Sequence, residues 1–186
     1  MRGRCNGDGH DHRADLSLPG DAAAAVEGFT AAASGRPDID VSVLTLFTQP
    51  SVPDVREHLR GQDVIVVEGG VVNLMAVWRA HGLREIMHAC WEAGVVLTGG
   101  SAGSLCWHIG GPTDDPADQP RRETYRRMVA EGALPAGYAT EDGVGLHYVD
   151  TAVPEAITIR PGKRAWLVHS DGNGSYLEEP LTAWPV

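Results

Sequence analysis

Residues 95–103 read Val-Val-Leu-Thr-Gly-Gly-Ser-Ala-Gly. The apolar run Val95–Thr98 predicts a buried strand, and Gly103–Ile109 predicts the helix that follows it. Glycines on both sides of Ser101 permit a sharp, strained turn that exposes the serine hydroxyl. The amide of Ala102 would then face an oxyanion formed at this serine. The stretch predicts a nucleophile turn; the alternative is a glycine-rich turn that binds a phosphate or nothing.

A second glycine-containing turn, Glu68–Gly69–Gly70, follows the continuous apolar run Val64–Val67. Such a run is typical of a strand that is buried on both faces of a parallel sheet. In a doubly wound sheet, both turns lie at the carboxyl ends of strands, where ligands bind. Gly70 could therefore supply a second oxyanion amide, and a plain tight turn is the alternative.

The middle of the chain alternates strands with helices, which predicts right-handed crossovers and a parallel sheet covered by helices on both faces. We expect a loose N-terminal arm at residues 1–20 and one α/β domain at residues 21–186. The segment 110–120 is a loop by composition, and 171–174 is a strong hairpin signal. The other predicted elements are helices at 21–33, 53–60, 73–81, 83–93 and 121–131 and strands at 41–47, 145–149, 156–159, 165–168 and 175–177.

The composition excludes some classes of partner. A formal net charge of −10 argues against a nucleic-acid-binding surface, which needs clustered Lys and Arg. The one basic cluster has helical spacing and predicts a solvated helix face; it comprises Arg121, Arg122, Arg126 and Arg127. No apolar run reaches the roughly 18 residues of a membrane span, and no signal peptide follows the first arginines, so we expect a cytoplasmic protein.

Three widely spaced cysteines do not form a disulfide framework, and Cys90 and Cys106 lie in apolar segments where a thiol behaves as a small hydrophobe. The string His10–Asp11–His12 could hold a metal, but without further ligands at metal spacing a flexible polar arm is the favoured interpretation.

A serine nucleophile needs a base within hydrogen-bond reach and an acid that orients the base. The chain has eight histidines. His108 lies two helical turns after Ser101, about 10 Å along the axis, which is too far for direct contact. His147 lies in a predicted strand and His169 near a later one, so either could face the site. Spacing by itself leaves the base unassigned.

Three segments resemble the peptidase E family of serine peptidases: Val64–Leu83, Trp91–Gly111 and Tyr125–Tyr148. The resemblance extends from about Val41 to the C-terminus. It implies a three-layer α/β/α sandwich with a mostly parallel sheet, flavodoxin-like and similar to class I glutamine amidotransferases, in which a serine replaces the amidotransferase cysteine. It also implies acyl-enzyme cleavage of small peptides without a metal, with aspartyl dipeptides as the best-known substrates.

Carried over position by position, the resemblance assigns Ser101 as the nucleophile and the amides of Gly70 and Ala102 to the oxyanion hole. Asn73, which precedes a helix after the first glycine turn, is assigned to the same oxyanion and substrate-binding region. Asp142 matches the acid that orients the histidine, although Glu141 is one register away.

Three features depart from the family pattern. Relatives carry the catalytic histidine in the stretch equivalent to Gly110–Pro120, which contains no histidine here, so the base would be His147 or another histidine brought in by the fold. The family's three-glycine turn is shortened to Gly69–Gly70, with the charge of Glu68 close to the oxyanion site. Residues 1–20 also lack the buried strand with which relatives begin. Loss of a triad histidine costs several orders of magnitude in turnover.

The sequence therefore predicts a serine-type peptidase, a hydrolase that acts on short peptides and needs no cofactor, nucleic acid or membrane. The alternative is a catalytically impaired relative that binds small ligands or acts through partner contacts. A third option is an esterase or an amidotransferase-like acyl transferase using the same turn, although a serine in place of cysteine opposes glutamine amidotransfer.

Overall fold

The computed structural model describes residues 19–36, 38–46, 49–67, 74–112 and 121–186. Contacts divide the chain into two units, Met1–Ile109 and Gly110–Val186. The elements of the first unit are α1 (Pro19–Ser34), α2 (Val55–Arg60), β1 (Val64–Val67), α3 (Leu74–Ala80), α4 (Leu83–Glu92), β2 (Val96–Gly99) and α5 (Ala102–Leu105). Those of the second unit are α6 (Arg121–Ala130), β3 (Gly137–Thr140), β4 (Val144–Val149), β5 (Ala152–Thr158), β6 (Ala165–Ser170), β7 (Tyr176–Leu181) and β8 (Ala183–Pro185).

A parallel pair of strands forms the centre of the first unit. β1 and β2 run in register from Val64 opposite Val96 to Val67 opposite Gly99, and α3 and α4 connect them. This strand–helix–strand order confirms the predicted α/β pattern. The prediction that β1 is buried on both faces is wrong: Ile65 is buried, whereas the exposed fraction of Val64 is 40%. Burial alternates along the strand because only one of its faces packs on the core.

The core of the first unit gathers on one side of α4, whose apolar residues recur with helical period. The buried residues of α4 are Leu83, Ile86, Met87 and Cys90. Leu59, Ile65, Val67, Trp78 and Val95 belong to the same cluster. The helix α2 begins after Asp54, whose carboxylate accepts a hydrogen bond of 2.9 Å from the N–H of Glu57. A carboxylate at this position satisfies one of the free N–H groups of the first turn.

The strand predicted at residues 41–47 is wrong for residues 41–46, which form neither strand nor helix; Phe47 lies outside the described residues. The backbone of Thr45 is bonded locally: its N–H donates to Oγ of Ser51, and its carbonyl accepts from the N–H of Ser51, both at 3.0 Å. Leu46 is nevertheless buried in the core. The apolar run thus reflects burial of an irregular segment, because burial alone does not require a strand ladder.

The second unit contains two three-stranded sheets, ordered β3–β6–β7 and β4–β5–β8. All their ladders are antiparallel except the pairing of β5 with β8. The α/β class is confirmed, whereas the described strands form short sheets in which antiparallel pairs outnumber parallel ones. The predicted mostly parallel, three-layer sandwich is therefore confirmed only as a mixed α/β fold.

The predicted turns and strands after residue 144 are confirmed with shifted ends. Asp171 begins the hairpin between β6 and β7: its Oδ1 accepts the N–H groups of Asn173 and Ser175 at 2.8 and 2.9 Å. These backbone bonds lower the pKa of Asp171. Two strands escaped prediction, β3 and β8, because each is short and contains or adjoins a glycine or proline that disguises its pattern.

The helix predicted at residues 121–131 is confirmed as α6, but its basic face is only partly solvated. Arg121 and Arg127 are exposed. Arg122 and Arg126 instead bond to the carboxylate of Glu178 on β7, through Nε–Oε1 distances of 3.2 and 2.8 Å. The guanidinium of Arg122 also lies 3.7 Å from the ring centre of Trp166. The helix face is therefore half-buried, because these arginines attach α6 to β6 and β7.

Several predictions concern residues that are only partly described. The arm predicted at 1–20, with the His10–Asp11–His12 string, lies outside the described residues except for Pro19 and Gly20, which begin α1. Residues 110–112 of the predicted loop have no regular structure. The single domain at 21–186 stays a prediction. Across the described residues, no helix is both long enough and apolar enough to cross a membrane.

Candidate active site

The serine turn of the first unit has the strand–turn–helix form that the sequence predicts, but the prediction that its strand is buried is wrong, because the exposed fraction of Val96 is 44%. β2 ends at Gly99 and α5 begins at Ala102, so Ser101 stands directly before the helix. Its backbone has φ 51° and ψ −128°, and the residue is exposed. Within the described residues, Ser101 and Asp150 are the non-glycine residues with positive φ. A conformation of this kind costs on the order of 1–3 kcal/mol and persists only where its surroundings hold it.

Hydrogen bonds on both sides of Ser101 hold the turn. The N–H of Gly103 donates to the carbonyl of Gly100 at 2.8 Å. The carbonyl of Ser101 accepts the N–H of Ser104 at 3.1 Å and the Oγ–H of Ser104 at 2.7 Å. The N–H of Gly100 donates to the carbonyl of Val67 at 3.4 Å, which ties the turn to the end of β1. The strained serine is thus fixed by its neighbours rather than by its own preference.

Gly99 is the glycine that the turn requires. A Cβ at this position would lie 2.5 Å from the carbonyl oxygen of Gly103 and 2.7 Å from that of Val67. Neither backbone atom can retreat as a flexible side chain would, so only glycine permits this close approach. Gly100 is different, because nothing lies within 4 Å of a Cβ built there.

The amide of Ala102 lies at the start of α5, where the first N–H groups of a helix lack acceptors within the helix. It directly follows Ser101, as a donor in an oxyanion hole beside a nucleophile would. The other residues assigned to this region, Gly70 and Asn73, lie outside the described residues, as does Glu68. Their roles stay predictions.

The helix after the serine is shorter than predicted, because α5 ends at Leu105 rather than Ile109. His108 therefore lies beyond the helix, so its separation from Ser101 is not the helical spacing expected from the sequence. Desolvation lowers the pKa of His108. Cys106 is half-buried, and its Sγ–H donates to the carbonyl of Gly103 at 2.9 Å. Burial raises the pKa of its thiol to about 12, so the thiol stays protonated near neutral pH and is a poor nucleophile.

The predicted base and acid lie in the second unit. His147 is on β4, and its Nδ1 lies 2.8 Å from Oε1 of Glu155 on β5. Asp142 is an exposed residue of the turn between β3 and β4. The carboxylate in contact with His147 is therefore that of Glu155, which the sequence analysis did not single out. The signal that could have found it is the antiparallel register, which places these two residues opposite each other.

Glu141, the neighbour of Asp142, has a structural role. Its Oε2 accepts the N–H of Arg164 at 2.8 Å, and its Oε1 lies 3.3 Å from Nζ of Lys163. The backbone bond to Arg164 is the main reason why the pKa of Glu141 is lowered. Both oxygens are thus used to hold the connection that precedes β6.

His169, the other histidine considered as a base, also faces a carboxylate. Its Nε2 lies 3.1 Å from Oε1 of Glu179 across the β6–β7 ladder. Ser101 belongs to the first unit, whereas His147 and His169 belong to the second.

Comparison with known proteins adds two findings. A family model described as peptidase family S51 matches residues 20–130, a range that includes β1, β2 and Ser101. The chain is also 32% identical over 149 residues to an uncharacterized peptidase, YgaJ, from Bacillus subtilis (strain 168). That match covers 68% of this chain and spans 64% of the length of the relative. Together they confirm the resemblance to the peptidase E family.

Proposed function

Because the chain belongs to peptidase family S51, we propose that it is a serine peptidase that cleaves short peptides through an acyl-enzyme on Ser101. Membership of this family supports peptidase activity, and hence hydrolase activity, whereas the serine mechanism is what we propose. The observation that carries it is the backbone of Ser101 at φ 51° and ψ −128°. A non-glycine residue in this conformation is costly, and the cost is typical of residues that a site positions for chemistry.

In the proposed reaction, Oγ of Ser101 attacks the scissile carbonyl, and the N–H of Ala102 stabilises the oxyanion. A histidine, for which His147 is our candidate, takes the serine proton and gives it to the departing amine as the C–N bond breaks. A water molecule then attacks the ester and releases the acid. The resemblance assigns Asp142 as the residue that orients the histidine and Gly70 as the second oxyanion donor. No metal is needed.

The family resemblance also supplies the finer parts of the proposal. It favours small peptides, aspartyl dipeptides first among them, as substrates. The net charge of −10 and the lengths of the apolar runs, rather than the resemblance, favour a cytoplasmic enzyme without nucleic-acid or membrane partners. The resemblance also implies that the parallel β1–β2 pair belongs to a three-layer α/β/α sandwich. Asn73, after the first glycine turn, would contact the substrate.

A catalytically impaired relative that binds small ligands is the second candidate. Two observations favour it. Gly110–Pro120 contains no histidine. The alignment with the relative has 149 positions, more than the 68% of this chain's 186 residues that it covers, so it includes positions at which this chain has no residue. A deletion that removes the family's histidine would leave Ser101 without its usual base.

Hydrolysis of a panel of aspartyl and non-acidic dipeptides tests the proposal. We expect the wild-type protein to release free amino acids, the Ser101→Ala variant to release none, and the Ser34→Ala variant to match the wild type. Ser34 is a suitable control because it is an exposed serine of the same unit whose hydroxyl bonds only within α1. Dipeptide binding in a calorimeter without release of products would favour the impaired relative.

A further inference from the structure

We propose that Glu155 is the positioning residue of His147: it holds the imidazole proton on Nδ1 and leaves Nε2 as the proton acceptor. The inference rests on the proposed function only in taking His147 as the candidate base. Glu155 thereby takes the place beside the histidine that the family resemblance gives to Asp142.

The first support is the geometry of the pair. His147 and Glu155 are directly opposite in the antiparallel β4–β5 ladder, so their side chains lie on the same face of the sheet. The distance of 2.8 Å from Nδ1 to Oε1 is that of a strong hydrogen bond to a charged acceptor. Two adjacent strands therefore fix both partners, as a positioning contact requires.

The second support is the ring nitrogen of His147 that must carry the proton. An ionised carboxylate can only accept hydrogen bonds, so the Nδ1 that faces Glu155 must carry a proton. In the neutral ring, Nε2 is then the acceptor, which is the tautomer that a serine's general base needs. Within the described residues, Nε2 of His147 has no hydrogen-bond partner, so it remains available to a substrate or a hydroxyl.

The third support is the contrast with the competing carboxylates. Both oxygens of Glu141 are engaged by Arg164 and Lys163, and Asp142 is exposed in the preceding turn. In the neighbouring sheet, Glu179 faces the Nε2 of His169 instead of its Nδ1. That pair favours the tautomer with the proton on Nε2, the nitrogen that a general base would use as its acceptor. The His169–Glu179 pair therefore provides a matched control.

Nitrogen NMR of the imidazole rings of the full chain, at a pH where they are neutral, tests the assignment directly. We expect the proton of His147 on Nδ1 in the wild type and a shift of population to the Nε2–H tautomer in Glu155→Ala. Glu179→Ala should change the spectrum of His169 and leave that of His147 unchanged. A wild-type His147 with its proton on Nε2, or a spectrum that Glu155→Ala does not alter, would overturn the inference.

The rate of phosphonylation of Ser101 by a fluorophosphonate provides the second readout. In Glu155→Ala we expect at least about a tenfold loss, since a misplaced tautomer disables a serine–histidine pair, with unchanged thermal unfolding. Glu179→Ala should label as the wild type does. Loss of labelling in Asp142→Asn but not in Glu155→Ala would give the role to Asp142. If the wild type itself is not labelled, the proposed function fails, while the NMR spectrum still decides what Glu155 does.

Discussion

Replacing Gly99 with alanine is expected to lower the free energy of unfolding of the first unit by about 3 kcal/mol or more and to remove any reactivity of Ser101. The new Cβ would lie 2.5 Å from the carbonyl oxygen of Gly103 and 2.7 Å from that of Val67. Relieving both contacts requires β1 and α5 to separate from β2, a backbone shift at the upper end of overpacking costs. Denaturant unfolding measures the loss.

Gly100→Ala is the matched control for this prediction. The two glycines are adjacent, but nothing lies within 4 Å of a Cβ at Gly100. We expect this variant to stay within about 1 kcal/mol of the wild type, because only the ordinary effects of adding a methyl group apply. Equal stability of Gly99→Ala and Gly100→Ala would show that the close approach of α5 to β2 is wrong.

Replacing Glu178 with glutamine is expected to destabilise the second unit by about 2–3 kcal/mol at pH 7. The side chain of Glu178 is only 14% exposed and neutralises two guanidinium groups. Its hydrogen bond with Arg126 is the largest reason why its pKa is lowered to about 2. Removing the charge leaves two half-buried cations without their partner, which is the costly way to break such a group. Glu179→Gln, at an exposed neighbouring position, should cost about 0.5 kcal/mol or less.

The ion pairs of Glu178 also predict how the free energy of unfolding depends on pH. The carboxyl of Glu178 titrates in the folded protein at a pKa of about 2, below its ordinary value of 4.5. Its stabilisation is therefore complete above about pH 4.5 and is lost as the pH falls towards 2. Urea unfolding of wild type and Glu178→Gln should differ most at neutral pH and converge near pH 2. A difference that stays constant down to pH 2 would contradict the ion-pair account.

Local sequence patterns correctly predicted the helices, strands and turns that are specified by residues close together in the chain. Period and turn chemistry found α4, β1 and the hairpin at Asp171, because each is specified within a few residues. The serine turn was found for the same reason: the apolar run of β2 and the glycines around Ser101 are adjacent in the chain. What could not be seen was which glycine the packing needs, because the atoms that exclude a Cβ at Gly99 belong to β1 as well as to α5.

Contacts between distant parts of the chain explain the errors. Arg122 and Arg126 looked solvated because Glu178 is far away in sequence and reaches them only through the pairing of β6 with β7. Glu155 was overlooked because its contact with His147 depends on the antiparallel register. The run at residues 41–46 looked like a strand because burial and strand formation give the same short apolar pattern.

The most direct test of this account is mass-spectrometric mapping of the wild-type chain after treatment with a fluorophosphonate. The account predicts one covalent adduct, on Oγ of Ser101, formed by the folded protein and abolished when the protein is unfolded in denaturant before treatment. An unmodified Ser101 in protein shown to be folded would contradict it: the serine turn would then be an inert part of the fold, and a binding role would replace the proposed peptidase.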